Sequence, residues 1–285
     1  MTRALPLPRS LLFVPATRVD HVAKAFERGA DAVVVDLEDA VAPADKVAAR
    51  RAVAGLPPRD AMWVRCNDIR SAEHAADLAV LGSLPWLAGA VLPKVESGDD
   101  VRAVSDATGL AVLALVETAA GVVAAGVVAA ERMAAERMAA AGAGRIALGA
   151  VDLRLDLGIP QDDDEQGLAH ARSVLAVASR THGLPGPVDG PVLDIVHPDV
   201  MRRSVRRARA HGFSAKLCIH PDQVAVVNDG LAPYDDERRW AHAVLRAADG
   251  AGGGVFRHEG RMVDAPVVQR ARDILATPPL RGLHL

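Results

Sequence analysis

Eight short apolar runs, most followed by a longer segment of helical spacing, constrain this chain more than any other feature. They are SLLFVP (10–15), DAVVVDLE (31–38), MWVRCN (62–67), GAVLPK (89–94), LAVLALVE (110–117), RIALGA (145–150), PVLDIV (191–196) and AKLCIH (215–220). Each is close to continuous in apolar residues, the pattern of a strand buried on both faces. Between them, segments such as 18–29, 43–54, 97–107, 119–141, 161–182 and 198–211 carry helical spacing with Arg- and Glu-rich faces. Such alternation predicts a parallel sheet wrapped by helices. Eight units over roughly 230 residues predict a closed (β/α)8 barrel and not an open sheet. No G-x-G-x-x-G follows an early strand, which argues against a dinucleotide-binding fold.

The pattern changes after Leu231, so the predicted organisation is a catalytic barrel over 1–231 and a C-terminal helical arm over 232–285. APYDDERRW starts a helix, DGAGGGVF is a glycine-rich turn, and HEGRMVDAPVVQRARDIL reads as a strand, a turn and a helix starting near Pro266. The arm is too short for an independent core and is expected to pack on the barrel or on a neighbouring subunit. Residues 122–141 repeat every five positions (VVAAG-VVAAE-RMAAE-RMAAA). Strong helix formers fill the repeat, yet a period of five cannot keep one apolar face, so its role is structural.

A net charge of -3 and an aromatic content of 3% leave no electrostatic or stacking case for nucleic acid or an anionic membrane. The alanine-valine run 119–130 is broken by Gly121 and Gly126, which argues against a membrane span. Cys66 and Cys218 lie far apart in apolar runs and are expected to be free core thiols in a reducing compartment. The N-terminal MTRALPLPRS lacks the apolar stretch of a secretory signal, so a cytoplasmic protein is expected.

Asp36, Glu38, Asp39, Arg65, Asn67, Lys94, Glu117 and His220 fall at the C-terminal ends of candidate strands, and Asp152 follows one closely. In a barrel those ends converge on one face, so most strands ending in ionisable groups indicates a site. Glu117 and Asp152 are the best pair for a hard divalent cation held by oxygen. The plain alternative, that one caps a helix and the other a turn, stands about level with it. Asp36, Glu38 and Asp39 are either solvated or paired with Arg50 or Lys46, or the acidic rim of a cation site, where Asp36 and Glu38 share one strand face and are expected to hold metal waters and orient basic partners. Arg65 suits an anionic substrate as a fork, although a lone strand-end arginine is often only an ion-pair partner. A Schiff-base role for Lys94 ranks below metal catalysis, because nearby acids raise its pKa. Lys216 and His220 end the last strand, where barrels often hold an anion, though His220 before Pro221 also suits a turn.

RSLLFVPAT, GADAVVVDLEDAVAPADKVAAR, VRCND, VLPKVES, LVETAAGV, LGAVDLRLDLG, GFSAKLCIHPDQVAVVN and GRMVDAPVVQRA resemble, in order, the motifs of the HpcH/HpaI aldolase and citrate lyase β-subunit family. The resemblance spans nearly the whole chain. It implies a magnesium-dependent TIM barrel, with manganese as an alternative ion, assembled as a homotrimer or hexamer. The implied reaction makes or breaks a carbon–carbon bond of a 3-hydroxyacyl-CoA such as malyl-, citramalyl- or citryl-CoA, with acyl-CoA and a 2-oxo acid as partners. By matching position, Glu117 and Asp152 look like the Mg²⁺ ligands, and Arg65 and Glu117 like substrate contacts. Glu38 and Asp39 match the acidic stretch at the site, with Asp36 behind it, and Asp264 matches a tail acid/base that reaches a neighbouring subunit. Ala16 and Ala215 stand where the family usually has glycine. The alternatives are an aldolase acting on a free 4-hydroxy-2-oxo acid and an accessory β subunit inactive without a carrier partner.

Overall fold

A computed structural model of the chain describes residues 7–138, 144–160, 165–251 and 254–277. Eight parallel strands close a barrel in sequence order: β1 (Ser10–Pro15), β2 (Ala32–Asp36), β3 (Met62–Arg65), β4 (Gly89–Leu92), β5 (Val112–Val116), β6 (Ile146–Leu148), β7 (Val188–Asp189) and β8 (Ala215–Cys218). Pairing of β8 with β1 completes the ring. The helices are α1 (His21–Glu27), α2 (Lys46–Ala54), α3 (His74–Gly82), α4 (Gly98–Thr108), α5 (Ala119–Met138), α6 (Ala150–Leu157), α7 (Ala169–Thr181), α8 (Pro198–Ala210) and α9 (Asp222–Leu231). The predicted (β/α)8 barrel is therefore the observed one.

Alternate residues of each strand fill the barrel. Leu11, Ala32, Val34, Trp63, Val91, Leu113, Leu115, Ala147, Val188, Ala215 and Leu217 form one buried cluster. A strand's side chains alternate between faces. Extending the inward set by one step therefore reaches Asp36 after Val34, Arg65 after Trp63 and Glu117 after Leu115. The same parity that packs the barrel aims these three side chains along its axis at the C-terminal rim.

The seventh strand departs from the expectation. It is Val188–Asp189, paired through Ala147↔Val188 and Asp189↔Lys216, and not 191–196. Asp194 Oδ1 accepts the backbone N–H groups of Val196 (2.8 Å) and His197 (2.9 Å), a local turn that competes with strand pairing. Of that run only Val192 is buried, while Leu193, Ile195 and Val196 face out, Val196 at 74% exposure. The true strand is hidden in the sequence because it carries a buried acid. Helices α3, α6 and α9 have no counterpart among the segments named from the sequence, α6 because it follows β6 after a single residue. In α5 the repeat splits its valines as its period requires: Val122 and Val128 are buried, Val123 and Val127 exposed. Positions 139–141 and 161–164 of the expected helices lie outside the described residues, as do 252–253 of the glycine-rich turn. Ala16 and Ala215 are fully buried, and so are the free thiols of Cys66 and Cys218. Among the described residues no helix is long and apolar enough to cross a membrane.

The chain divides into two compact units at Val227–Asn228, within α9. The second unit holds α10 (Asp235–Ala251), the antiparallel pair β9 (Phe256–His258) and β10 (Arg261–Val263), and α11 (Ala265–Ala276). It has an apolar cluster of its own, Ala241, Val244, Val263 and Ala271 with Trp240 and Phe256 against it. That cluster corrects the expectation of an arm without a core: the two helices are amphipathic, and they bury their apolar faces on each other.

Candidate active site at the C-terminal ends of the strands

Asp36 closes β2 and makes the rim. Its Oδ1 accepts the N–H of Glu38 (2.9 Å) and its Oδ2 the N–H of Ala40 (3.2 Å), so one carboxylate folds the DLED turn back on itself. The same oxygens accept Arg65 Nε (2.7 Å) and Nη2 (2.6 Å) in a forked pair. The pair exists because β2 and β3 place Asp36 opposite Arg65 in register. Glu38 Oε2 lies 2.9 Å from Arg65 Nη1, and Asp39 lies farther out at 3.7 Å with its side chain 62% exposed. The guanidinium also stacks over the Phe13 ring, 5.1 Å from the centroid. Burial disfavours its charge, but the bonds to Asp36 and the charges of Glu38 and Asp39 outweigh burial and hold the arginine cationic.

The expected partners Arg50 and Lys46 do not pair with these carboxylates. Arg50 Nη1 reaches Glu73 (2.6 Å) and Asp77 (3.1 Å) instead. Lys46 inserts its ammonium beneath the turn, donating to the carbonyls of Leu37 (2.6 Å) and Glu38 (2.7 Å) and to Asn67 Oδ1 (2.7 Å). Asn67 is held in turn by Asp77 Oδ2, through its backbone N–H (2.8 Å) and its side chain (2.6 Å). Both cations satisfy buried groups that the tertiary fold creates, which outranks a charge pairing at the solvent edge. Lys46, Asn67 and Asp77 thus shape the acidic turn from below. A lysine at the first position of a helix reads in sequence only as surface charge.

Lys94, two residues beyond β4, has a left-handed backbone (φ 50°). That conformation turns its N–H to Glu117 Oε1 (3.0 Å), while its Nζ donates to Glu38 Oε1 (2.7 Å). Burial works against the ammonium, but Glu38 and Glu117 more than compensate and raise its pKa, the opposite of what a Schiff-base nucleophile needs. Lys216 does not offer an anion site. It alternates with Ala215 and Leu217, so it faces away from the barrel axis, where Nζ donates to Asp189 Oδ2 and to the Gly190 carbonyl, both at 2.6 Å. His220 is half-exposed beyond β8, with Asp222 3.6 Å away in the first turn of α9.

Glu117 follows β5 and is 1% exposed. Its Oε2 lies against Gly149, where an added Cβ would come within 2.1 Å. Burial, then the charges of Asp152 and Glu38, push its carboxyl up to about 8. Asp152 sits in the first turn of α6, partly exposed. Burial and Asp39 likewise outweigh Arg65 and Lys94 to raise the Glu38 carboxyl. Converging carboxylates that repel each other fit a hard cation that would replace the proton. Among the described residues no group of three or more His, Cys, Asp or Glu side chains forms a ready ion cage. Two carboxylates, with water and substrate for the remaining positions, are what magnesium commonly takes, so the donor set fits that ion. Asp264 belongs to the second unit, where it caps α11 by accepting the Val267 N–H at 3.2 Å.

The profile of the HpcH/HpaI aldolase/citrate lyase family matches residues 9–221. A citrate lyase subunit beta-like protein of Deinococcus radiodurans is 38% identical over 287 aligned positions, covering 95% of this chain and 97% of that one. The mitochondrial citramalyl-CoA lyase of Rattus norvegicus is 29% identical, covering 94% and 85%. Among solved structures, CitE from Mycobacterium tuberculosis, in complex with magnesium, acetoacetate and coenzyme A, superposes with a TM-score of 0.81 at 34% identity, covering 95% of this chain and 98% of that one. A closed barrel with its acids and arginine on the C-terminal rim, matched over nearly its whole length by lyases of one kind, makes this chain a member of the HpcH/HpaI aldolase/citrate lyase family and a carbon–carbon lyase.

Proposed function

We propose that the chain is a magnesium-dependent lyase that cleaves, or in reverse forms, the carbon–carbon bond of a 3-hydroxyacyl-CoA such as malyl-, citramalyl- or citryl-CoA. The products would be a 2-oxo acid and an acyl-CoA. The observation that carries the reading is the buried Glu117 carboxylate facing Asp152 beside the clamped Arg65. Glu117 and Asp152 would hold the ion, which when bound supplies a Lewis acid for the 3-hydroxyl and the neighbouring carboxylate of the substrate. Asp36 occupies Nε and one Nη2 hydrogen of Arg65, and a guanidinium carries five N–H donors. Glu38 Oε2 lies 2.9 Å from Nη1, so the donors that neither acid takes would hold a substrate carboxylate and the oxygen on which charge develops as the bond breaks. Glu38 and Asp39 form the acidic wall around the ion, and Lys94 keeps Glu38 turned toward it. We assign the proton transfer at carbon to Asp264, delivered from the arm of a neighbouring subunit in a homotrimer or hexamer; the family resemblance supports this assignment. The two buried free thiols support a reducing, cytoplasmic setting.

The test is a panel of acyl-CoA thioesters and free 4-hydroxy-2-oxo acids given to the purified chain with Mg²⁺, following 2-oxo acid release. The expected result is turnover of a CoA thioester that is lost on chelation, in Glu117→Ala and in Asp152→Ala. Asp264→Asn should keep the cap and the fold yet lose on the order of 10²-fold in rate. Turnover confined to free hydroxy-oxo acids would identify an aldolase. Activity only with an added carrier protein would identify an accessory subunit.

A further inference from the structure

Asp152 rides on a helix of eight residues, too short to hold its place by its own hydrogen bonds. The spacing of Asp152 from Glu117 therefore depends on what ties α6 down. At its start, Gly149 donates its N–H to the Val116 carbonyl (2.9 Å), next to Glu117. At its end, Asp156 Oδ2 accepts the N–H of Ala119 at 2.6 Å. Ala119 is the first residue of α5 and lies two positions after Glu117. Thr118 Oγ1 already serves the N–H of Gly121 (3.0 Å), so Asp156 supplies from another element an acceptor that the opening turn of α5 needs.

Asp152 and Asp156 are one turn apart and share a face of α6. Like charges at that spacing disfavour a helix. An exposed acid kept there, with its oxygen on an amide of the neighbouring helix, points to a positional use. We propose that Asp156 is a positioning residue that sets the distance between Glu117 and Asp152 by tying the last turn of α6 to the first residue of α5. Segments 116–119 and 149–156 are then joined at both ends, with Glu117 on one side and Asp152 between the two ties. This rests on the reading of Glu117 and Asp152 as the magnesium ligands.

The experiment is a calorimetric Mg²⁺ titration of the metal-free full chain, with hydrogen exchange at the Ala119 amide recorded before metal is added. In Asp156→Ala the amide should exchange faster and Mg²⁺ should bind on the order of 10-fold more weakly. Asp156→Asn keeps an acceptor oxygen and should recover most of the affinity. Ala119→Pro removes the donor at a first helical position that suits proline. It should weaken Mg²⁺ to a similar degree, and the two changes together should cost no more than either alone. That variant carries the test if Asp156→Ala folds poorly. Parental Mg²⁺ affinity in both Asp156→Ala and Ala119→Pro would reduce Asp156 to a helix cap and overturn the proposal. Parental affinity in Glu117→Gln and Asp152→Asn would overturn the ligand assignment itself, a failure distinguishable from the first because it does not involve Asp156.

Discussion

Arg65 shows how much one residue's role depends on a neighbour far away in sequence. The side chain is 11% exposed and its ion-pair partners are the acids Asp36, Glu38 and Asp39, so charge alone could be supplied by a lysine. Geometry could not. Asp36 is gripped by two parallel N–H···O bonds, and a compact ammonium cannot make that fork and still present donors to a second anion. We expect Arg65→Lys to fold and to lose about 10²-fold in kcat/KM, the scale for a lost charge-stabilising donor; steady-state kinetics on the active thioester will measure it. Near-parental efficiency would make Arg65 a structural ion-pair partner. The arginine was legible in VRCND as a strand-end cation. Its clamp was not, because Asp36 is 29 positions away and faces it only through the β2–β3 register.

At the scale of elements, the decisive contact is between the end of β5 and the entry to α6. Gly149 has φ -89° and ψ 82°, which an alanine tolerates, so its glycine is not required by backbone conformation. It is required by space. A Cβ there would meet Glu117 Oε2 at 2.1 Å and Glu117 Cβ at 2.4 Å, and the second of these cannot swing away. Gly149→Ala should displace the Glu117 carboxylate and weaken Mg²⁺ by roughly 10–100-fold, with helix content by far-UV circular dichroism unchanged. Unaltered metal affinity would show that Glu117 is not a ligand or that the strand gives way. LGAVDLRLDLG disclosed Asp152 by its acid but hid Gly149, since a glycine's contact is defined by which side chain leans on it.

Across the whole molecule, the barrel closes at its shortest strand through buried charge. Asp189 on β7 is fully buried and takes Lys216 Nζ (2.6 Å) from β8 and Arg172 Nε (2.9 Å) from α7. Arg172 continues to Glu165, which also accepts Arg154 Nη2 (2.5 Å) and lies 2.8 Å from Arg207 Nη2. Burial alone would raise the Asp189 carboxyl, but Lys216 and Arg172 together hold it below its ordinary value. A carboxyl lowered by folding stabilises the native state above its unfolded pKa of about 3.9, and that contribution is lost as pH falls through the folded value. Asp189→Asn should therefore cost about 3–5 kcal/mol at pH 7, where two cations are left buried without their partner. The deficit against the parent should shrink toward pH 3. Denaturant unfolding at both pH values checks it, and a deficit that does not depend on pH would point to lost packing in place of lost charge.

The sequence by itself determined the barrel, because eight apolar runs with intervening helices leave few other ways to bury that much strand. It also determined which residues stand on the C-terminal rim, since inward parity along DAVVVDLE, MWVRCN and LAVLALVE ends on Asp36, Arg65 and Glu117. Only the tertiary structure decided what those residues touch. Lys46 serves carbonyls and not carboxylates, Lys216 neutralises Asp189 outside the barrel lumen, and the seventh strand is VD and not PVLDIV. Local pattern reports how much apolar surface a segment must bury. A buried polar group instead takes whichever partner the register and the helix layer bring within about 3 Å, and that choice is made between segments.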